Sequence, residues 1–239
     1  MILAYNDDCI STIPYIPQKV NMILTDLPYG TTNEPWDMPI DFNELWKTYK
    51  TVSNPTTPIL LFAIEPFASK LRLSNKHYKY DIYWQKERIT NVFQVKKRPG
   101  KIIENICVFY EKQPTYHPQM VEYEGIKRTN KIKNGRLGKL IDSSTKKPYQ
   151  YHDTGKRYPL QIVQFPRDSL TNAKHPTQKP VALLEYLILT YTNQGDWILD
   201  SCMGSGSTAF ACKHTNRNFI GYETDPHWYD IALKRIMEE

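Results

Sequence analysis

Apolar residues recur along the chain in two patterns, which together predict an α/β protein. Some form short continuous runs of strand length, and others recur every three or four positions, as on the buried face of a helix. The predicted strands span residues 1–5, 20–24, 59–63, 80–84, 102–110, 197–200 and 218–223. The predicted helices span residues 9–16, 41–52, 65–73, 180–191, 208–213 and 226–237.

The pattern disappears between residues 114 and 165, where the chain is polar and basic and contains proline and glycine without periodicity. This segment is too long for an ordinary loop of a compact domain. We therefore expect 114–165 to be a basic insertion with little core of its own. One large α/β domain carrying an insertion fits the length of 239 residues as well as two domains do.

Basic residues are concentrated in two segments. Six basic residues and one acid lie in 86–101, and ten basic residues and two acids lie in 127–157, although the whole chain carries a net charge of only +6. Aromatic residues, among them Phe93 and Tyr149, are interleaved with these charges. Two explanations fit such segments about equally well. They are either a charged face exposed to solvent or a surface that binds a polyanion, with release of counterions driving the association.

Several classes of protein are disfavoured by the composition. The longest apolar stretches, 58–64 and 181–189, are too short to cross a bilayer. The first eight residues lack the basic segment of a secretion signal. The four cysteines contain no Cys-x-x-Cys pair and suggest neither a metal site nor a disulfide framework. These features fit a cytoplasmic protein without a membrane partner.

The first candidate site is the tetrapeptide Asp26-Leu27-Pro28-Tyr29. It follows the apolar run 22–24, so a carboxylate, a proline and an aromatic ring come at the end of a predicted buried strand. Considered alone, so short a motif is more often a turn than an active site.

The second candidate site lies in 197–223, which reads as strand, glycine-rich turn, helix and strand. Gly204, Gly206 and Ala209 match G-x-G-x-x-G/A at the opening of the helix, where free backbone N–H groups can bind a ligand. Glu223 ends the next strand, and a carboxylate there can accept hydrogen bonds from two ribose hydroxyls. The segment predicts a site for an adenosine-containing cofactor, with a tight turn and a surface glutamate as the alternative.

These two sites are expected to face one cleft. The C-terminal strands alone cannot bury both of their faces, so earlier strands must complete the sheet. In open α/β sheets, ligands bind at the carboxyl ends of strands where the strand order reverses. We therefore expect the strand ending at Asp200 to lie beside the strand ending at Asp26.

Together the motifs resemble those of the DNA amino-methyltransferases, and their order resembles the permuted β class of that family. The resemblance covers nearly the whole chain outside the insertion. Besides Asp26 to Tyr29, the segments similar to family motifs are His175 to Pro180, Asp200 to Thr208, Gly221 to Glu223, and Tyr229, Ala232 and Arg235 in the last helix.

The resemblance implies a Rossmann-like methyltransferase sheet with circularly permuted motif order. Residues 1–113 would be the catalytic part of this domain and 166–239 its cofactor-binding part, whereas 114–165 would recognise the target. The implied cofactor is S-adenosyl-L-methionine, and the implied substrate is an adenine flipped out of double-stranded DNA, methylated at its N6 amine. Family members that act on cytosine N4 more often have serine in place of Asp26, so cytosine N4 is the alternative target.

The resemblance also implies individual roles. The Asp26 carboxylate and the Leu27 carbonyl would accept hydrogen bonds from the target amine, and Pro28 would fix the approach of Tyr29, which stacks on the base. For the cofactor, Glu223 is expected to contact the ribose and Asp8 to lie near adenine. Gly204, Ser205 and Gly206 would contact the methionine part, and Thr177 and Lys179 its carboxylate. Two further expected cofactor contacts are Asp200 and Cys202. The expected DNA-binding residues are Lys96, Lys97, Arg98, Lys131, Lys133 and Arg136.

Three positions depart from the family pattern. Leu27 replaces the usual first proline, and Ser201 and Cys202 stand where proline and a cofactor-packing phenylalanine are common. A DNA-binding protein without catalytic activity would fit these departures. An NAD-dependent oxidoreductase would explain the glycine loop and Glu223 but not Asp26 to Tyr29. The charge does not distinguish RNA from DNA. The sequence does not show the oligomeric state either, and a homodimer is one alternative because the family often dimerises.

Overall fold

The computed structural model describes residues 1–30, 37–122, 155–168 and 178–238. Within these residues the strands are β1 (Ile2–Tyr5), β2 (Met22–Asp26), β3 (Ile59–Ala63), β4 (Tyr78–Gln85), β5 (Ile103–Phe109), β6 (Val121–Glu122), β7 (Lys156–Arg157), β8 (Ile162–Gln164), β9 (Trp197–Asp200) and β10 (Asn218–Tyr222). The α-helices are α1 (Cys9–Thr12), α2 (Phe42–Val52), α3 (Phe67–Leu73), α4 (Val181–Tyr191), α5 (Ser207–His214) and α6 (Pro226–Glu238).

Eight of these strands form one mostly parallel sheet in the order β1-β10-β9-β2-β3-β5-β4-β8. The first five strands in this order, from β1 to β3, run parallel to one another. The next strand, β5, runs antiparallel to both of its neighbours, β3 and β4. The short edge strand β8 is parallel to β4. The predicted α/β architecture is therefore confirmed.

The strand order reverses between β9 and β2. These strands pair in parallel, with Ile198 opposite Met22 and Leu199 opposite Ile23. From β9 the chain continues to β10 on one side, and from β2 it continues to β3 on the other. The carboxyl ends of β9 and β2, which carry Asp200 and Asp26, thus lie side by side at the reversal, as predicted from the sequence.

Helices cover both faces of the sheet, because both faces of its central strands are apolar. Successive residues of a strand point to opposite faces. In β2, Met22 and Leu24 pack into the cluster that contains buried residues of α4, α5 and α6. Ile23 between them packs into the cluster that contains buried residues of α1, α2 and α3. The continuous apolar run is thus the signature of a strand buried on both sides.

The helix boundaries follow local sequence signals. The Asp41 carboxylate caps α2 by accepting hydrogen bonds from the N–H groups of Asn43 and Glu44. The helix predicted for 9–16 is shorter in the structure, where α1 ends at Thr12 and a 3₁₀ turn containing Pro14 follows. The α-helix stops there because proline has no N–H to continue the α-helical hydrogen bonding. No helix in the described ranges is long and apolar enough to cross a membrane.

The chain divides into two compact units. One contains Met1–His117 and Leu160–Glu239, and the other is Pro118–Pro159. In the described part of the second unit, β6 and β7 pair antiparallel, and Glu122 and Lys156 form an ion pair of 3.6 Å. This unit is shorter at both ends than the predicted insertion, 114–165. It ends earlier because β8 joins the main sheet and Val163 enters the core of that sheet.

Candidate active site

A cavity of about 370 Å³ opens at the carboxyl edge of the sheet, where β2, β9 and β10 end. Its volume lies within the usual range for small-molecule sites. The predicted site residues that line it are Asp8, Asp26, Pro28, Lys179, Asp200, Cys202, Gly204, Ser205 and Glu223. The structure thus brings the two candidate sites of the sequence together around one space.

The other predicted site residues lie elsewhere. The side chain of Leu27 is buried in the core, and Gly206 lies against α6. Lys96, Lys97 and Arg98 are exposed on the connection between β4 and β5. The predicted residues outside the described ranges are Thr177, Lys131, Lys133 and Arg136.

The loop after β2 is held in place by Asp37. Its carboxylate accepts hydrogen bonds from the N–H groups of Tyr29, at 2.6 Å, and Gly30, at 2.8 Å. Gly30 has a φ of +64°, and a Cβ atom there would lie 2.4 Å from Cγ of Pro39. Both the left-handed backbone and the close approach require glycine at this position. The loop therefore presents Asp26 to the cavity in a defined geometry.

Both oxygens of Asp26 have partners. The Tyr29 hydroxyl donates to Oδ1 of Asp26 at 2.6 Å, and the ammonium of Lys179 binds Oδ2. The Asp26 side chain is still 25% exposed, whereas that of Lys179 is only 10% exposed. The carboxylate is therefore accessible from the cavity while its charge is balanced from behind.

Glu104 links this pair to a second lysine. Its Oε1 lies 3.2 Å from the ammonium of Lys179 and accepts a hydrogen bond of 3.2 Å from the Tyr29 hydroxyl. Its Oε2 lies 2.5 Å from the ammonium of Lys86. Two carboxylates and two ammonium groups thus form one nearly buried network beside the cavity.

The pKa values in this network follow from burial and pairing. Burial raises the pKa of Asp26 above 3.8, and the Lys179 ammonium limits the rise. Burial acts in the same direction on Glu104, but Lys179 and Lys86 outweigh it and lower the pKa of Glu104. Burial alone would lower the pKa of Lys179, yet Asp26 and Glu104 raise it to about 12. Lys179 is therefore a permanent cation next to Asp26.

Lys179 lines the cavity and is also held by two carboxylates of the protein. The resemblance assigned it to the carboxylate of the cofactor, whereas its ammonium here binds Asp26 and Glu104. The ammonium also lies 5.0 Å from the centre of the Phe62 ring. The reason is electrostatic, since two carboxylates with little access to solvent require a cation nearby.

The Tyr29 side chain is likewise held by contacts within the protein, whereas the resemblance implies a ring that stacks on the target base. Its hydroxyl is bound by Asp26 and Glu104, and its ring packs on Phe67 with centroids 5.1 Å apart. Burial, together with the two carboxylates, raises its pKa well above 10. In this structure Tyr29 is thus a neutral hydrogen-bond donor that orients Asp26.

Two departures from the family pattern have structural explanations. Leu27 is 3% exposed and packs in the core on the α1–α3 face of the sheet, so its side chain anchors the loop by about 2 kcal/mol of apolar burial. The Ser201 hydroxyl is 2.6 Å from the hydroxyl of Tyr49 and donates to Thr25 at 3.3 Å. Both residues are thus integrated into the fold around the cavity.

The glycine loop between β9 and α5 is shaped by two contacts. The N–H of Gly204 donates to a carboxylate oxygen of Glu223 at 2.9 Å. Gly206 has a φ of +77°, and a Cβ there would lie 3.1 Å from Cβ of Ala232 in α6. Arg235, one turn further along α6, donates to the Ser207 hydroxyl at 2.9 Å. These contacts explain why Ala232 and Arg235 accompany the glycine motif.

Asp200 is a buried carboxylate at the end of β9, and Glu223, which directly follows the neighbouring strand β10, is half-buried. Asp200 accepts hydrogen bonds from the Thr25 hydroxyl at 2.5 Å and from the Cys202 N–H at 3.1 Å. Burial raises the pKa of Asp200 to about 6, and it also raises the pKa of Glu223. Asp200 therefore holds the start of the glycine loop, and Glu223 holds its middle.

Asp8 is the first of the predicted cofactor contacts along the chain. Its carboxylate caps α1 by accepting a hydrogen bond of 2.9 Å from the N–H of Ser11. Of the adjacent aspartates Asp7 and Asp8, it is Asp8 that lines the cavity.

Four residues of the site were not predicted from the sequence: Glu104, Lys86, Asp37 and Thr25. Glu104 carried a usable signal, because it is the single charged residue of the mostly apolar strand β5 and is only 4% exposed. A buried charge needs a partner, so such a residue marks either an ion pair or a functional site. The other three lacked a comparable signal in the sequence.

An α/β sheet with a glycine loop and a strand-ending carboxylate at the point of reversal defines a Rossmann-like enzyme fold. A family model described as DNA methylase matches residues 20–234, so the chain belongs to the DNA methylase family. The expected class is confirmed: the protein is an S-adenosylmethionine-dependent DNA methyltransferase. The NAD-dependent oxidoreductase alternative is not supported.

Individual relatives agree with this assignment. The chain is 27% identical over 247 residues to the DNA adenine methyltransferase YhdJ of Escherichia coli (strain K12), an alignment that covers 96% of this chain and 80% of YhdJ. A shorter stretch of 66 residues is 48% identical to the type II methyltransferase M2.DpnII of Streptococcus pneumoniae, covering 28% of this chain and 25% of that protein. The crystal structure of an M1.HpyAVI–SAM complex superposes with a TM-score of 0.64 at 27% identity, covering 98% of this chain and 100% of that one.

Proposed function

We propose that the protein transfers a methyl group from S-adenosylmethionine to the N6 amine of adenine in double-stranded DNA. The observation that carries this proposal is the single cavity shared by Asp26 and the glycine loop. Adenine is favoured over cytosine by the acid at the end of β2 and by the relative YhdJ, which is described as a DNA adenine methyltransferase.

The cavity residues fit the cofactor. The carboxylates of Asp8 and Glu223 suit the hydroxyls and amine of an adenosine, and Met203 and Trp228 supply apolar surface. The helix α5 begins directly after the glycine loop, so its first N–H groups suit a carboxylate. We assign Asp8, Asp200, Cys202, Gly204, Ser205 and Glu223 to cofactor binding on this basis. Gly206, which shapes the glycine loop, and Thr177 are further predictions.

The chemical task of the chain is to make an aromatic amine nucleophilic. S-adenosylmethionine, when bound, supplies an electrophilic methyl group on its sulfonium. The lone pair of an adenine N6 is delocalised into the ring, and acceptors aimed at its N–H bonds favour a pyramidal nitrogen with a localised lone pair. The Asp26 carboxylate and the Leu27 carbonyl serve as these acceptors and stabilise the positive charge that develops. The N6–methyl bond forms as the sulfur–methyl bond breaks and leaves a neutral thioether, and the methylated amine becomes neutral by losing one N6 proton to water.

Tyr29 and Lys179 support Asp26 in this scheme. Each occupies one oxygen of the carboxylate, and each carboxylate oxygen can accept more than one hydrogen bond. The incoming amine therefore meets a carboxylate that is already oriented. Pro28, which lines the cavity, limits where the base can lie. Stacking of the Tyr29 ring on the base stays a prediction from the resemblance.

The DNA contacts are assigned to the basic segments. We propose that Lys96, Lys97 and Arg98, together with Lys131, Lys133 and Arg136, bind phosphates. The segment 114–165 is proposed as the target-recognition region. The homodimer alternative and the cytoplasmic location expected from the sequence stay predictions.

Single-molecule sequencing of DNA from cells that express the protein tests the proposed function. We expect N6-methyladenine in one sequence context in cells with the wild type, and its absence in cells with Asp26→Ala at equal expression. N4-methylcytosine in that context would support the alternative target. A wild type that modifies no base would support the DNA-binding protein without activity.

A further inference from the structure

The connection between β4 and β5, residues 86–102, is a basic hairpin with an apolar tip. A 3₁₀ turn, Val92–Gln94, lies at this tip, and the Phe93 side chain is 102% exposed. Val92 and Val95 next to it are 58% and 44% exposed. Single exposed apolar residues are ordinary, whereas three on one turn form a patch typical of a binding surface.

Internal hydrogen bonds brace the basic hairpin. The N–H of Lys86 donates to the Ile102 carbonyl at 2.8 Å, and the N–H of Thr90 donates to the Lys101 carbonyl at 2.9 Å. The N–H of Lys101 in turn donates to the side-chain oxygen of Asn91 at 2.6 Å. The tip is closed by further backbone hydrogen bonds, from the N–H of Gln94 to the Asn91 carbonyl at 2.8 Å and from the N–H of Arg98 to the Gln94 carbonyl at 3.0 Å. The exposed Phe93 side chain therefore projects from an ordered turn.

The charge around the tip is positive. The acid of the basic hairpin, Glu87, already accepts two hydrogen bonds from Arg167, of 3.0 and 3.2 Å. The remaining charged residues of the hairpin beyond Lys86 are Arg88, Lys96, Lys97, Arg98 and Lys101. Within the described ranges, Lys96, Lys97 and Arg98 form no ion pair. An apolar tip surrounded by cations fits a partner that combines anionic groups with flat apolar surfaces, as stacked nucleotides do.

The basic hairpin starts at the active site. Lys86 at its base lies 2.5 Å from Glu104, which contacts Lys179, which binds Asp26. Because β4 runs parallel to β3 and β2, its carboxyl end lies at the same edge of the sheet as Asp26. The hairpin thus starts at the edge of the sheet to which a duplex must deliver a base, and it can contact such a duplex.

We propose that Phe93 is a wedge that enters the duplex beside the target adenine, while Lys96, Lys97 and Arg98 hold the flanking phosphates. This inference rests on the proposed function, because a wedge is useful where a base leaves the stack. Flipping removes the stacking partners of the neighbouring bases, and an apolar side chain inserted at that step restores part of the lost contact. An arm of about eight residues extends at most about 26–29 Å, and the major groove is about 8.5 Å deep, so Phe93 can reach the base pairs.

The test uses a duplex that carries 2-aminopurine in place of the target adenine, in the sequence context found by sequencing. The fluorescence of 2-aminopurine rises when the base leaves the stack. We expect Phe93→Ala to abolish most of this rise and to slow methyl transfer to the natural duplex by at least about tenfold, in line with the loss of one aromatic stacking contact. Phe93→Trp retains an aromatic wedge and should restore both signals.

Two controls separate a wedge from a merely structural role. Leu73→Ala removes another apolar side chain, 88% exposed at the end of α3, and should change neither signal. A duplex with a mismatch opposite the target lowers the cost of flipping, so the deficit of Phe93→Ala should shrink on it. A deficit of equal size on both duplexes would overturn the proposal.

Other outcomes distinguish this inference from the proposed function. If the wild type methylates adenine and Phe93→Ala matches it in rate and fluorescence, the wedge is wrong and the proposed function stands. If the wild type methylates no DNA, both the proposed function and the wedge fail, and the wild type alone is enough to show it. Phe93-dependent binding to vesicles of anionic phospholipid, with no effect on the fluorescence of 2-aminopurine, would overturn the wedge in favour of a membrane contact.

Discussion

The ammonium of Lys179 binds Oδ2 of Asp26, so the carboxylate proposed to activate the target amine is ion-paired within the protein itself. The two residues are 153 positions apart in the sequence and meet because α4 begins two residues after Lys179 at the edge where β2 ends. A buried carboxylate is costly to ionise, and the adjacent cation reduces that cost. Lys179 therefore keeps Asp26 in the form that can accept a hydrogen bond from an amine.

Replacing Lys179 should move the acid limb of the pH–rate profile to higher pH. Burial already raises the pKa of Asp26, and loss of the Lys179 ammonium removes the interaction that limits the rise. In Lys179→Gln, Asp26 would then be protonated over a wider pH range. As the pH falls, methyl transfer would therefore be lost at a higher pH than in the wild type. The measurement is kcat/KM for DNA between about pH 5 and 9, where a bell-shaped profile reports such groups.

Lys86→Gln is the matched control for Lys179→Gln. Lys86 contacts Glu104 in the same network and is not the lysine that binds Asp26, so its removal should shift the acid limb less. An unshifted limb for Lys179→Gln, together with a higher KM for the cofactor, would contradict this account. It would instead support the cofactor-carboxylate role that the sequence resemblance implied.

Replacing Glu104 should shift the same limb in the opposite direction. The negative charge of Glu104 raises the pKa of Asp26, so Glu104→Gln lowers it and extends activity to lower pH. The glutamine oxygen can still accept a hydrogen bond from the Tyr29 hydroxyl, which keeps the loop in place. Glu87→Gln, which removes an acid of the basic hairpin that pairs with Arg167, should leave the limb where it is. Shifts of the same sign for Glu104→Gln and Lys179→Gln would contradict the electrostatic explanation.

Gly206→Ala should destabilise the protein more than Gly195→Ala does. Both glycines have φ near +80°, so alanine at either position costs about 1–2 kcal/mol of backbone strain. Only at Gly206 does the added Cβ crowd α6, at 3.1 Å from Cβ of Ala232, whereas nothing lies within 4 Å of it at Gly195. Thermal unfolding measures the difference, and calorimetry should show weaker cofactor binding for Gly206→Ala alone. Equal losses of stability would mean that the packing of the glycine loop on α6 is unimportant.

The fold was largely predictable because its central strands have a simple signature. The predicted strands 59–63 and 197–200 coincide with β3 and β9, since continuous apolar runs bounded by polar turns leave little choice of boundary. The edge strand β8 was not predicted, because it has only three residues and two of them are exposed. An edge strand shows no run of apolar residues from which it could be recognised.

The candidate site was predictable only in part. Asp26, the glycine loop and Glu223 were found because each lies at the end of a strand within a short motif. The network of Glu104, Lys86 and Lys179 was not found, because its contacts join residues far apart in the sequence, such as Tyr29 and Glu104, 75 positions apart. Pairings of this kind depend on strand order and side-chain direction, which a local pattern does not contain.

The central claim is that the Asp26 carboxylate activates the target amine. The single-turnover rate of methyl transfer to a duplex containing the target adenine, compared between the wild type and Asp26→Asn, tests it most directly. Asparagine keeps the shape and one acceptor oxygen but lacks the charge, so we expect a rate lower by about 100-fold or more with cofactor binding largely retained. A rate for Asp26→Asn equal to that of the wild type would contradict the account.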